Sequence, residues 1–199
     1  MGKGMIAKKV LRALVLGALA ANAAAPDTPA ETRTVPAQSD ATLIENSDGA
    51  AANGAGPAVF AGRTNLPDDT VRRALLRFDL MTKALPKRPA AAAIESVALV
   101  LANIMEPPGA APREFRLHRL LADWGEGASS SFGGTGIYRF EGDGLLRDVT
   151  QWLRYPESNF GWILIGDETE RMTARAFASR ENPEPSLRPV LEIRYRGRP

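Results

Sequence analysis

The sequence predicts an all-β protein: an antiparallel β-sandwich, jelly-roll-like, of about nine or ten strands with one short helix. Three observations predict it. The closing stretch holds three apolar runs, NFGWILIGDE at 159–168, FASREN at 177–182 and RPVLEIRY at 188–195, each stopped by turn residues. The run Ile94 to Ile104 is apolar on both sides, with Val97, Leu99 and Leu101 on one face and Ala98 and Val100 on the other, the mark of a central strand. The strands follow one another at short spacing and do not alternate with helices, which favours antiparallel over parallel pairing.

The elements follow in order. Lys3, Lys8, Lys9 and Arg12 precede and overlap an apolar run that ends at Ala21-Asn22-Ala23. That is the pattern of a secretory signal peptide over residues 1–23, and the run is shorter than the roughly 20 apolar residues of a membrane span. Residues 24–38 are rich in Ala, Pro and Thr and read as a flexible leader. The domain then occupies 39–199. Thr42 to Ile44 opens it, a Gly-rich loop follows from Asn46, and Pro57 to Gly62 is the second strand. Ala74 to Leu80 is the third, with Leu76, Phe78 and Leu80 sharing one face and Leu75, Arg77 and Asp79 the other. Ala90 to Ala93 is a loop into the long strand. Phe115 to Leu121 alternates apolar and polar residues, and Ile137 to Phe140 and Leu145-Leu146 are short strands. Val149 to Leu153 makes one or two helical turns with Asp148 as cap.

Composition excludes several function classes. The chain of 199 residues has 25 Lys+Arg against 23 Asp+Glu, but residues 1–23 hold four basic residues and no acidic one. Without them the balance is 21 against 23, or −2, and no electrostatic case for nucleic acid remains. There is no Cys, hence no thiol nucleophile and no thiolate metal site. His118 is the only His, which excludes every two-histidine metal motif. A domain of this size builds its own core without disulfides.

Motifs recur in a recognisable order. Asp40-Ala41-Thr42 opens a strand. Val59-Phe60-Ala61-Gly62 ends one in Gly. Arg73 to Asp79 is an Arg-led strand ending in Phe-Asp. Ile94 to Leu99 follows, then Trp124-Gly125-Glu126, Asp148-Val149-Thr150-Gln151-Trp152, and the N-F-G, D-E and S-R-E blocks of the closing stretch. This ordered set resembles the DNRLRE domain, a bacterial extracellular β-sandwich module that includes carbohydrate-binding members. The resemblance implies a non-catalytic carbohydrate-binding or cell-envelope adhesion module, secreted or periplasmic. Its partner is then a polysaccharide or cell-envelope glycan. Gly127 to Ile137 departs from the family pattern, with Phe132 as its lone aromatic where many such modules carry a second Trp.

The residues themselves leave alternatives open. Asp167 and Glu168 are adjacent at a strand end and point apart, which suits a turn-forming Asp and a solvated Glu better than a glycosidase pair. Asp123 and Glu126 flank Trp124: either a sugar stacks on that ring, or the ring caps the sandwich edge. Trp152 and Trp162 have apolar neighbours and suit the core. His118 lies on the polar side of its strand, and no G-x-S-x-G turn accompanies Ser179. Arg180 and Glu181 suit an ion pair or backbone bond at a strand end. The basic residues around the third strand make Arg73, Arg77 and Lys83, with Trp124, the candidate glycan ligands, Arg77 otherwise being an ordinary surface Arg or a partner of Asp79. No cofactor is required. A structural Ca2+ is compatible with loop carboxylates at Asp40, Glu45, Asp48 and Asp148, Asp40 and Asp148 foremost. The alternative functions are a structural or protein-interaction domain and, less favoured, a polysaccharide hydrolase or lyase. The expected protein is a monomer with no membrane span once the signal is removed.

Overall fold

A computed structural model describes residues 29–47, 51–68, 70–81, 85, 89–90, 93–126 and 137–196. The signal peptide predicted at 1–23, the start of the predicted leader, Lys83, Asp48 and most of the Gly127–Ile137 segment lie outside the described residues. Among the described residues ten strands form: β1 (Ala30–Ile44), β2 (Ala52–Asn53), β3 (Ala58–Arg63), β4 (Val71–Phe78), β5 (Ile94–Met105), β6 (Arg116–Arg119), β7 (Ile137–Glu141), β8 (Trp162–Ile165), β9 (Arg175–Ala178) and β10 (Val190–Arg196). Among the described residues one α-helix, α1 (Asp143–Arg154), lies between β7 and β8. The protein is the all-β sandwich that the sequence predicts.

Every strand pairing is antiparallel. One layer runs β1–β10–β5–β7, the other β2–β1–β4–β8–β6. β1 belongs to both. Its first half pairs with β10 up to Pro36, and from Ala37 it pairs with β4. At the opposite corner β3 joins β4 to β9, and β9 joins β5. The predicted inward runs fill the space between the layers: Leu76, Phe78 and Leu80; Val97, Leu99 and Leu101; Leu191, Ile193 and Tyr195 are all buried. β5 has partners on both edges, as its two apolar faces predict.

Four readings need correction. Residues 30–38 are not a flexible leader but the first half of β1. Only Val35 there is buried, while Glu31 to Thr34 face solvent. The segment is held by its ladder to β10, so its side chains carry no apolar signal. Leu145-Leu146 is not a strand but part of the first turn of α1, which starts at Asp143. Leu145, Val149, Trp152 and Leu153 recur at i, i+4, i+7 and i+8 and form its buried stripe. Asp148 is therefore not the cap but an interior residue of that helix; the N-cap position is Gly142. Last, the loop after Asn46 contains the two-residue β2, paired with Thr42 and Leu43.

Candidate functional site

Arg77 and Trp124, both singled out from sequence, meet in the folded chain. Arg77 is the seventh residue of β4. Trp124 lies on the loop 120–126 that leaves β6. The Arg77 guanidinium sits 5.4 Å from the Trp124 ring centroid, a cation–π distance. Its Nη1 donates to Asp123 Oδ1 at 2.7 Å, so its carboxylate partner is Asp123 and not Asp79. Asp79 instead accepts from Met81 N.

The bend before β8 fixes the other side of this loop. Gly161 has φ +80°, and a Cβ there would lie 2.1 Å from the carbonyl oxygen of Leu76. Only glycine lets the chain pass so close to β4. That bend points the Phe160 carbonyl at Trp124, whose indole N–H donates to it at 2.7 Å. It also lets Leu120 N donate to Gly161 O at 2.9 Å. Trp124 thus caps the sheet edge, is half-buried, and has Arg77 over its ring.

Beside Arg77 lies a cavity of about 250 Å³, lined among others by Gln38, Asp79, Trp152 and Asn159. Three of the residues that line it each carry a buried polar atom with no hydrogen-bond partner among the described residues: Arg77 Nε, Trp152 Nε1 and Asn159 Oδ1. Buried polar groups are almost always partnered, by protein or by ordered water, so two donors and an acceptor on residues around one cavity make it a candidate place for a polar ligand. Tyr155 is exposed and precedes Pro156, which lines the same cavity. Sequence reasoning missed Gln38, Asn159 and the pocket role of Trp152. The Trp152 ring packs tilted against that of Trp162, centroids 4.5 Å apart, as its core reading implies, and nothing local in the sequence marks its N–H as spare.

A larger groove, about 640 Å³, crosses the outer face of β6 and β8 between Arg113, Arg116, His118 and Glu168. Its charges are already matched. Arg113 pairs with Asp167 at 2.9 Å and Glu170 at 2.6 Å, Arg116 with Glu114 at 3.0 Å, and Arg73 with both oxygens of Glu168 at 2.7 and 2.8 Å. Arg73 is thereby committed to Glu168, while Arg77 pairs with Asp123. Glu168 is a bidentate partner of Arg73, not the solvated residue the sequence suggests. Asp167 accepts from Thr169 N and Oγ1, the turn-forming role foreseen for it. His118 is exposed, as its strand face predicts. Unmatched polar atoms favour the smaller cavity over the larger groove.

A carboxylate cluster sits at the corner where β1 bulges. The register jumps from Ala37 opposite Phe78 to Ser39 opposite Arg77, leaving Gln38 extra. Next along, Asp40 is fully buried opposite Leu76. Asp40 N donates to Glu126 Oε1 at 2.8 Å, and Arg180 N donates to Asp40 Oδ2 at 2.6 Å. The Arg180 guanidinium holds Glu126 through Nε and Nη2, both at 2.9 Å, and Glu181 through Nη2 at 2.8 Å. The ion pair foreseen for Arg180 and Glu181 is therefore present and is extended by Glu126. Burial pushes the Asp40 carboxyl up to about 7, against the Arg180 N–H, and Glu181 and Glu126 add to the rise. Glu126 is also disfavoured by burial, but its bonds to Arg180 and Asp40 N hold it below the usual range. Burial raises Glu181 despite Arg180.

The other foreseen oxygen ligands are committed elsewhere. Asp148 Oδ2 accepts from Trp162 Nε1 at 2.7 Å, and its Oδ1 faces Arg119 at 3.6 Å. Glu45 accepts from Thr70 N, Thr70 Oγ1 and Val71 N. The structure brings Asp40 together with Glu126 and Glu181 rather than with Asp148.

No protein-family model matches the chain, and no curated protein matches it either. Among the described residues no helix is long and apolar enough to cross a membrane.

Proposed function

We propose that this chain is an exported, non-catalytic module of the DNRLRE kind that binds a polysaccharide or cell-envelope glycan in the cavity beside Arg77. The observation that carries the reading is the set of unpartnered buried atoms there, Arg77 Nε, Trp152 Nε1 and Asn159 Oδ1. A sugar ring offers hydroxyls that both donate and accept, which suits two donors and an acceptor around a small cavity. Gln38 and Asp79 add polar contacts at the rim, and the exposed Tyr155 ring offers a stacking face. The sequence resemblance and the signal-like start support the same class and an extracytoplasmic location. The carboxylates that a hydrolase would need support a non-catalytic role, because Asp123, Asp167 and Glu168 are each held by an arginine.

Calorimetry with neutral and uronate-containing oligosaccharides tests this on the native chain, Arg77→Ala and Asn159→Ala. The expected result is saturable heat with one glycan class and an affinity about ten-fold or more weaker in each variant, the cost of a lost buried hydrogen bond. Equal affinity in Arg77→Ala removes the cavity from the site. No heat with any glycan moves the protein to the structural or protein-interaction class.

A further inference from the structure

The corner formed by Asp40, Glu126 and Glu181 has the make-up of a hard-cation site, and we propose that it binds a divalent cation of the calcium type. One oxygen of each residue can be chosen so that all three lie within 4.8 Å of one another. A cation with Ca–O distances of about 2.3–2.6 Å bridges a pair of oxygens up to about 5 Å apart, so the three side chains can close on one ion with shifts of a few tenths of an ångström. The donor set is oxygen only, which suits a hard cation and not zinc or copper.

Carboxylates grouped on a surface carry no such meaning by themselves. Here a second observation points to a ligand. Asp40 is wholly buried, and its Oδ1 has no hydrogen-bond partner among the described residues. The same holds for the buried Glu181 Oε2. Arg180 has used its donors on the other oxygens: its backbone N–H on Asp40 Oδ2, its guanidinium on Glu126 and on Glu181 Oε1. Arg180 leaves Asp40 Oδ1 and Glu181 Oε2 without a donor, and a cation would meet both oxygens. The residues come from three separate parts of the chain: Asp40 from β1, Glu126 from the loop after β6, and Glu181 from the turn after β9. Bridging them fixes the 120–126 loop that also carries Trp124. The cation site stands independently of the glycan reading, since none of its three ligands lines the Arg77 cavity.

The test uses the full chain, stripped with chelator and titrated with Ca2+, with Mg2+ in parallel. Heat of binding and the thermal midpoint are the readouts, and Tb3+ luminescence sensitised through Trp124 is a third. The expected result is a one-to-one Ca2+ isotherm, a raised midpoint and a weaker response to Mg2+. Asp40→Asn and Glu181→Gln should each weaken Ca2+ binding at least ten-fold. Glu181→Gln, at a half-exposed position, keeps the comparison valid if Asp40→Asn folds poorly. Glu168→Gln, in the outer groove, should respond as the native chain does. Absence of heat and of any midpoint shift with millimolar Ca2+ overturns the proposal. So does native-like Ca2+ binding in Glu181→Gln with its fold intact by circular dichroism. Glycan calorimetry repeated in chelator separates the two readings.

Discussion

Two carboxylates five positions apart, Asp40 within β1 and Glu45 just beyond it, have opposite fates. Glu45 is exposed and accepts three hydrogen bonds on one oxygen, from Thr70 N, Thr70 Oγ1 and Val71 N. Those bonds hold its carboxyl below the usual range. Asp40 is buried, accepts one bond from Arg180 N, keeps an unpartnered oxygen and faces Glu126 and Glu181. Its carboxyl is pushed up to about 7. The two residues show that the partners, and not the residue type, decide whether a carboxylate ties a sheet together or waits for a counter-ion. Glu45 is a finished lock between β1 and the start of β4. The Asp40 corner keeps an unpartnered oxygen, and the proposed cation is placed there for that reason.

The largest expected effect removes what both corners share. β4 carries Val71, bonded to Glu45, and Leu76, opposite Asp40. Leu76 is fully buried in the core. Leu76→Ala should cost about 2–5 kcal/mol in urea denaturation, the range for a buried leucine that leaves a cavity. A loss below about 0.5 kcal/mol would show that Leu76 is exposed and that the β1–β4 register is wrong.

Next in size is the charge of Asp40 itself. Its folded value, about 7, lies above the ordinary 3.8. The folded state therefore holds a proton that the unfolded state has already released between about pH 4 and 7. Stability from this group is full below about pH 4 and falls as pH rises towards 7. Glu126, Glu181 and Arg180 face Asp40 and shape this change. In chelator, Asp40→Asn should match the native chain near pH 4 and exceed it near pH 8, by at most about 4 kcal/mol. Chemical denaturation at both pH values measures the gap. If Ca2+ fills the corner, adding it at pH 8 should close or reverse that gap. A gap of one size at both pH values would mean that Asp40 is solvated.

The strands were legible in the sequence where they bury one face in two. Leu76, Phe78 and Leu80, and Leu191, Ile193 and Tyr195, alternate because the core lies on one side of them. Ala30 to Gln38 hid because its side chains mostly face water and its backbone does the pairing. The start of α1 hid because two adjacent leucines look like a strand until Val149 and Trp152 are counted with them. The site was legible only in its members. Asp40, Arg77 and Trp124 stand out as residue types in motifs. That Asp40 meets Glu126, 86 positions away, and the Arg180 amide, 140 away, follows from the β1 bulge and the corner turns. No local pattern encodes such a meeting. Asp148 was a sound candidate by type, but an indole N–H from β8 occupies it.

The smallest expected effect belongs to Glu45, and its sign is opposite to that of Asp40. Its carboxyl is held below 4.5 by Val71 N first and by Thr70 N and Oγ1 next. A depressed folded value means that stability is present above the unfolded value and is lost as pH falls through the folded one. Glu45→Gln keeps an acceptor oxygen but loses the charge that strengthens these bonds. Thermal midpoints of Glu45→Gln should lie slightly below native at pH 7, and the difference should shrink and vanish as pH drops below about 4. The Asp40→Asn difference is largest at high pH and positive; the Glu45→Gln difference is largest at high pH and negative. A Glu45→Gln chain as stable as native at pH 7 would mean that the Thr70 and Val71 donors are equally content with a neutral partner. The β1–β4 corner would then rest on its backbone ladder alone.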